Sequence, residues 1–146
     1  MSEAANVVNL RPGNQIEVIV WNDLYSVGHP LMDQHHQAVI GFINELAGYC
    51  FNNSGSMVRS KALDILQEIN HLAQLHFKSE ELLLSRVKYP FLDEQCDSHE
   101  RYSAKISYYY QSKLDNRKLL DLTRLLLDWW NNHILVEDMK YKEYMK

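Results

Sequence analysis

The sequence predicts an all-α protein, an antiparallel up-down-up-down four-helix bundle with an extended N-terminal arm. Three observations predict it. Four long stretches carry apolar residues at spacings of three and four, the mark of one buried helical face. The links between them are short and rich in turn formers, which makes successive helices antiparallel neighbours. The one β-branched run, Ile16 to Trp21, has no evident partner strand later in the chain.

Residues 1 to about 14 read as a loose arm that carries the breaker cluster Arg11-Pro12-Gly13-Asn14. The run from Ile16 to Trp21 has strand propensity. Without a partner it reads as an extended segment lying on the bundle. The expected division is an arm over residues 1–20 and a helical domain over 21–146. Pro30 suits a first helical position or the residue before it. The first helix is expected over residues 31–51, with Met32, His36, Val39, Ile40, Ile43, Leu46, Ala47 and Cys50 on one face. His35 falls about 100° round from His36, toward the surface or a supporting layer. Asn52-Asn53-Ser54-Gly55-Ser56 reads as a turn.

The second helix is expected over 57–86, with Ile65, Leu66, Ile69, Leu72, Ala73, His76, Glu80, Leu83 and Leu84 toward the core. Tyr89-Pro90 marks a break, because helical backbone is disfavoured before proline. The third helix is expected over 91–114, where Leu92, Gln95, His99, Tyr102, Ile106 and Tyr109 share a face, and Asp115-Asn116 ends it. The fourth runs from about 118 to 133 or beyond, with Leu119, Leu122, Leu126, Trp129, Trp130 and His133. The aromatic, lysine-rich tail to Lys146 reads as a last turn or two packed on the outside.

Composition narrows the function. The 146 residues suit one domain with a core that needs no disulfide. A net charge of -4 gives no basic footprint for nucleic acid. No stretch is long and apolar enough to span a bilayer, and the N-terminus has no basic region followed by an apolar run. Cys50 and Cys96 are far apart and form no CxxC, which suits reduced thiols in the cytoplasm.

Four polar stations interrupt the apolar faces: His36, the pair His76 and Glu80, the pair Gln95 and His99, and the pair His133 and Asp138. Burying such groups is costly unless something satisfies them. Residues four apart on a helix lie about 40° apart in angle and about 6 Å in rise, so each of the middle pairs can address one centre. His133 and Asp138 are five apart, which puts them about 140° apart on a regular helix. For both to face the centre the helix must end, loosen or bulge. Imidazoles with two carboxylates suit iron, and also zinc, copper or manganese. Each carboxylate has two oxygens and can bridge two ions. A lone core histidine is usually bonded to a neighbouring carbonyl or amide, which is the reading for His29 and His71 if they are not simply exposed. Glu68-x-x-His71 is a single Glu-x-x-His pair off the stripe of His76, against a ferritin-like site. A zinc-protease motif, GxSxG and a phosphate loop are all missing.

The chain from about Trp21 to Tyr141 resembles a bacterial hemerythrin. Trp21-Asn22-Asp23 with Ser26-Val27-Gly28 is similar to that family's approach to its first helix. Met32-Asp33-Gln34-His35-His36 resembles its Asp-x-x-His motif, His76-Phe77-Lys78-Ser79-Glu80-Glu81 its HFxxEE motif, and Trp129 to Asp138 its W-x-x-x-HI-x-x-x-D ending. Tyr89-Pro90 followed by His99 is similar to its approach to the third helix. The resemblance implies two non-haem iron ions joined by an oxo or hydroxo bridge. His36 and His76 would serve one, His99 and His133 the other, with Glu80 and Asp138 shared. It implies binding of dioxygen or another small diatomic ligand, for storage or sensing, rather than enzymatic turnover. Two positions depart from the pattern. Gln95 stands where the family has a third histidine on the second iron, which implies a weaker donor or a position left to water. Trp130 stands where the family often has leucine, and a ring that large is expected to fill or gate the ligand pocket. Redox turnover of peroxide or nitric oxide, and a structural or regulatory bundle with altered metal content, are the competing functions.

Overall fold

The computed structural model describes residues 10–11, 15–16, 18–52 and 56–145. Most of the expected arm, Glu17, and residues 53–55 of the turn after the first helix lie outside the described residues. Two short strands, β1 (Leu10–Arg11) and β2 (Gln15–Ile16), pair antiparallel with Leu10 opposite Ile16. The β-branched run therefore begins with a partner, which comes before it in the chain rather than after. Its continuation lies along the first helix. There the Ile19 N–H donates to Asn44 Oδ1 at 3.0 Å, and Asn44 Nδ2 donates to the Ile19 carbonyl at 2.9 Å. One amide side chain thus replaces a neighbouring strand and satisfies both backbone groups of a residue whose side chain is buried.

Four helices follow among the described residues: α1 (Pro30–Asn52), α2 (Ser56–Arg86), α3 (Leu92–Gln111) and α4 (Asn116–Asp128). Each of α1 and α3 packs against both α2 and α4, the arrangement of an antiparallel up-down-up-down bundle. The approach to α1 is held by Asp33. Its carboxylate accepts from Ser26 Oγ at 2.6 Å and from the Val27 N–H at 2.9 Å. Gly28 between them has φ +84, and a Cβ there would meet Met145 Cβ at 3.3 Å. The third helix ends at Gln111, sooner than expected. Asp115 is the N-cap of α4, accepting from the Lys118 N–H at 2.8 Å, so it opens the next helix instead of closing the last.

The end of α2 is a Schellman motif. The Tyr89 N–H donates to the Leu84 carbonyl and the Lys88 N–H to the Ser85 carbonyl, with Lys88 at φ 57. Leu84 and Tyr89 supply its apolar contact. A side chain in the left-handed region is strained where glycine is not. Lys88→Gly is expected to stabilise the protein by about 1 kcal/mol, read as a higher urea midpoint at unchanged slope.

The core falls into two apolar clusters. The larger contains Ile40, Ile43, Leu66, Ile69, Phe77, Ile106, Leu126, Trp129 and Ile134. The smaller contains Val27, Met32, Leu84, Tyr89 and Tyr141. Along α1, His36 comes between Met32 of the small cluster and Val39 of the large one. The same alternation recurs with His76 and Glu80 between Ala73 and Leu84, and with Gln95 and His99 between Leu92 and Tyr102. A polar layer thus crosses the bundle between two dry ones.

Candidate metal centre

All seven sequence-predicted residues converge in that layer and are buried. His76 and Glu80 sit one turn apart on α2, Gln95 and His99 one turn apart on α3, and α1 brings His36. The fourth helix loosens where the five-residue spacing required it. From Trp129 to Glu137 the backbone is π-helical, and the Asp138 N–H bonds to the His133 carbonyl, the i→i+5 bond of that geometry. This widened turn lets His133 and Asp138 face the same side. A 3₁₀ turn, Asp138–Tyr144, carries the chain on.

The two carboxylates lie in the middle and each divides its oxygens between two histidine pairs. Glu80 Oε1 is 2.8 Å from His99 Nε2, and Oε2 is 3.4 Å from His76 Nε2. Asp138 Oδ1 is 3.1 Å from His133 Nε2, and Oδ2 is 3.2 Å from His36 Nε2. Two groups of potential ligand atoms result, each within 4.8 Å of one another: His36, His76, Glu80 and Asp138, and Glu80, His99 and His133.

A cation fits this arrangement better than the internal contacts do. Among the described residues, His36 Nε2, His76 Nε2, His133 Nε2 and Asp138 Oδ2 are buried without a hydrogen-bond partner. All four lie within 3.4 Å of a carboxylate oxygen or an imidazole nitrogen, yet these contacts are not aligned as hydrogen bonds. Ring nitrogens near carboxylate oxygens, aimed past them, describe atoms converging on a shared point. An orphaned buried polar atom costs about 1–3 kcal/mol. Four in one layer are best explained by an ion that satisfies them together.

The outer ring nitrogens of His76, His99 and His133 are tied down, whereas His36 Nδ1 has no hydrogen-bond partner among the described residues. His99 Nδ1 pairs with Glu81 at 2.7 Å, and His133 Nδ1 with Glu137 at 2.7 Å and Ser98 Oγ at 2.9 Å. His76 Nδ1 meets His35 Nδ1 at 2.9 Å. His35 is therefore a buried supporting residue rather than a surface one, while His71 is exposed and His29 half-buried. Such partners fix those three rings so that Nε2 faces inward. Glu81 stood in the sequence only as the last residue of the HFxxEE motif, and Glu137 and Ser98 were not singled out there. Their signal was positional, one residue beyond Glu80, one before Asp138 and one before His99.

Electrostatics follow from this geometry. Burial pushes the Glu80 carboxyl up, but His76 and His99 outweigh it and hold the group well below the usual carboxylate range. Burial and Glu80 push Asp138 up, yet His133 and His36 bring it below its ordinary value. Burial works against the cations of His99 and His133, but Glu80 raises His99 and Asp138 raises His133 to about 10. Burial lowers His76, and burial with the neighbouring His76 lowers His35 to about 4. Without an ion, the two buried carboxylates thus favour protons on His99 and His133, while burial favours the neutral forms of His35 and His76.

Gln95 reaches the site through its nitrogen. Nε2 donates to Asp138 Oδ1 at 3.0 Å and to Glu80 Oε1 at 3.4 Å. An amide N–H holds carboxylates and does not coordinate a cation; the amide oxygen would have to be turned inward to do so. Trp129 rather than Trp130 makes the indole wall beside the histidines, with its ring 5.3 Å from Phe77 and 6.4 Å from His76. Trp130 packs on Tyr25 at 5.1 Å.

The tail corrects an expectation. It does not pack outside: Tyr141 is 0% exposed and its hydroxyl donates to Glu80 Oε2 at 2.6 Å. Its signal was Asp138, three residues earlier and so one turn of a 3₁₀ helix away. Tyr141→Phe keeps the packed ring and removes only this bond. It is expected to lower metal affinity about 10–100-fold with little change in helix content. Competitive titration against a chelator checks this, and unchanged affinity would reduce the hydroxyl to a packing feature.

Comparison with known proteins agrees with the geometry. Residues 27–145 match the family described as Hemerythrin HHE cation binding domain. A Bacteriohemerythrin of Stenotrophomonas maltophilia is 27% identical over 130 residues, covering 88% of this chain and 82% of that protein. A Bacteriohemerythrin of Clostridium acetobutylicum is 23% identical over 85% of this chain and 98% of its own length. A Hemerythrin-like protein of Naegleria gruberi is 25% identical over 84% and 89%. With its matching span, its bundle and its buried cluster of histidine and carboxylate side chains, the chain belongs to the hemerythrin family.

Proposed function

We propose that this chain is a non-haem di-iron protein that binds dioxygen, or another small diatomic ligand, for storage or sensing. His36 and His76 would hold one iron, His99 and His133 the other, and Glu80 and Asp138 both. One observation carries the reading: each buried carboxylate presents one oxygen to each histidine pair. Bound iron would supply the electrons that hold dioxygen reversibly. The chain's own residues orient and seal the site. Tyr141 and Gln95 hold the carboxylates by donated hydrogen bonds, and Phe77, Trp129 and Tyr102 keep water from the imidazoles. The titratable groups of the layer all serve as ligands or as their supports, which favours a binder over an enzyme.

The domain division is proposed as an arm over 1–20 and a bundle over 21–146. A cytoplasmic location is proposed from the two free thiols, Cys50 and Cys96, which suit a reducing compartment. No helix among the described residues is long and apolar enough to cross a membrane. Anaerobic iron loading followed by air tests the function. About two irons per chain and the charge-transfer absorption of a bridged diferric pair are expected. A chain that retains one iron or none under these conditions would overturn it. Redox turnover of peroxide or nitric oxide is the second reading, favoured by Gln95, which gives its half-site a nitrogen donor where a third ligand would stand. Stopped-flow mixing of the reduced protein with oxygen separates the two. A persistent adduct supports binding, and immediate oxidation without one supports turnover.

A further inference from the structure

A surface cavity of about 480 Å³ lies beside the metal centre, lined by Tyr89, Phe91, Glu94, Gln95, Glu137 and Lys140. Gln95 belongs to both places. It forms part of the cavity wall, and its amide nitrogen touches Asp138 and Glu80. At this point one neutral side chain separates the outside from the two central carboxylates. We propose that the cavity is the port through which a first-row divalent cation reaches the centre, with Gln95 as the inner gate and Glu94 and Glu137 as outer guides. The inference rests on the metal-centre reading above and adds the route of loading to it.

Charge selects a cation as the traveller. The lining carries two carboxylates against the single ammonium of Lys140, and Glu80 and Asp138 stand behind it. A concave wall of one sign concentrates counter-ions and speeds their arrival. The gate is easy to open. Swinging Gln95 aside breaks one 3.0 Å hydrogen bond and one long one of 3.4 Å, and disturbs no ring stack that holds a histidine. Turned about, the same amide offers oxygen, a donor that a cation in transit accepts.

A second cavity approaches the centre from the α2–α3 groove, at Gln74, Glu81 and Ser103, and ends on His99. It is about 160 Å³, and Phe77 and His99 form part of its wall. Phe77 is stacked on the His99 ring at 4.3 Å and 14°, and Glu81 holds Nδ1 at 2.7 Å. Passage there requires unstacking a packed ring pair.

The test is the rate of cobalt(II) uptake by the metal-free full-length chain, followed by ligand-field absorption in a stopped-flow instrument. Glu94→Lys reverses one guide charge. It is expected to slow uptake about tenfold at low salt, with the difference shrinking at high ionic strength and the final stoichiometry unchanged. Gln95→Ala is expected to speed uptake, and Ser103→Trp, which fills the other cavity, to leave it alone. Equal rates for Glu94→Lys and the unaltered chain at low salt, slowing by Ser103→Trp, or unchanged uptake in Gln95→Ala would each overturn the port. No cobalt bound at equilibrium by the unaltered chain would bring down the metal-centre reading itself, a result distinct from normal stoichiometry with unaltered rates.

Discussion

Glu80→Ala is expected to abolish metal binding by both halves of the centre at once, whereas His36→Ala should weaken one half. Glu80 is the residue common to the two ligand groups. Four side chains aim at it: His76, His99, Gln95 and Tyr141. Truncation takes an anion from between two ions and leaves the Tyr141 hydroxyl and His99 Nε2 without the carboxylate they face, while Gln95 keeps its bond to Asp138. Leaving one partner of a buried ion pair uncompensated costs about 3–5 kcal/mol. The metal-free variant should therefore also be markedly less stable. Glu81→Ala is the control next door. Glu81 is about one-third exposed and only steadies the outer nitrogen of His99, so an affinity loss of about 10–100-fold is expected. Elemental analysis after loading, with urea unfolding of the metal-free chains, measures both effects. Two ions retained by Glu80→Ala would refute the shared role.

The parts of this architecture that sequence revealed are those that regular periodicity governs. α1 and α2 came within a residue of their expected ends because a 3.6-residue apolar stripe continues through most of their length. His36, His76, Glu80 and His99 were legible as polar interruptions of such stripes. Legibility stopped where the backbone left the regular helix. Beyond Trp129 the π-helical turn changes the angle per residue, so counting at 100° no longer reports which side a residue faces. His133 and Asp138 were legible as a polar pair and through the resemblance of Trp129 to Asp138, and their spacing of five then required an irregular turn. Tyr141, eight residues after His133, lost its register across that turn and read as part of an external tail. Gln95 shows a different limit. Its position could be counted, but which amide atom faces the carboxylates depends on acceptors delivered by α2 and the 3₁₀ turn. The partner of the β-branched run was missed because two-residue strands carry no periodicity of their own.

Chelation of the metal should lower the unfolding temperature of this chain substantially, and by more at pH 8 than at pH 6. An ion that binds only the folded state at about 1,000 times its dissociation constant adds about 4 kcal/mol. For a chain of this size that corresponds to roughly 10 °C. The pH dependence follows from the histidines. Binding requires neutral imidazoles, but His99 is raised and His133 is raised to about 10 when no ion is present. Loading must expel those protons, so affinity rises with pH across this window. Through these two histidines the metal-free fold moves the other way. A histidine whose folded value is raised contributes stability that is complete below its unfolded value of 6.5 and is lost as pH climbs through the folded value. Between pH 6 and 8 His99 and His133 make the stripped protein lose stability relative to the loaded one. His35 and His76, lowered by burial, are neutral in both forms and drop out, so the gap between the unfolding temperatures widens. Paired thermal melts with and without chelator across that range check it. A gap that narrows toward pH 8 would show that His99 and His133 are not the groups the ion displaces protons from.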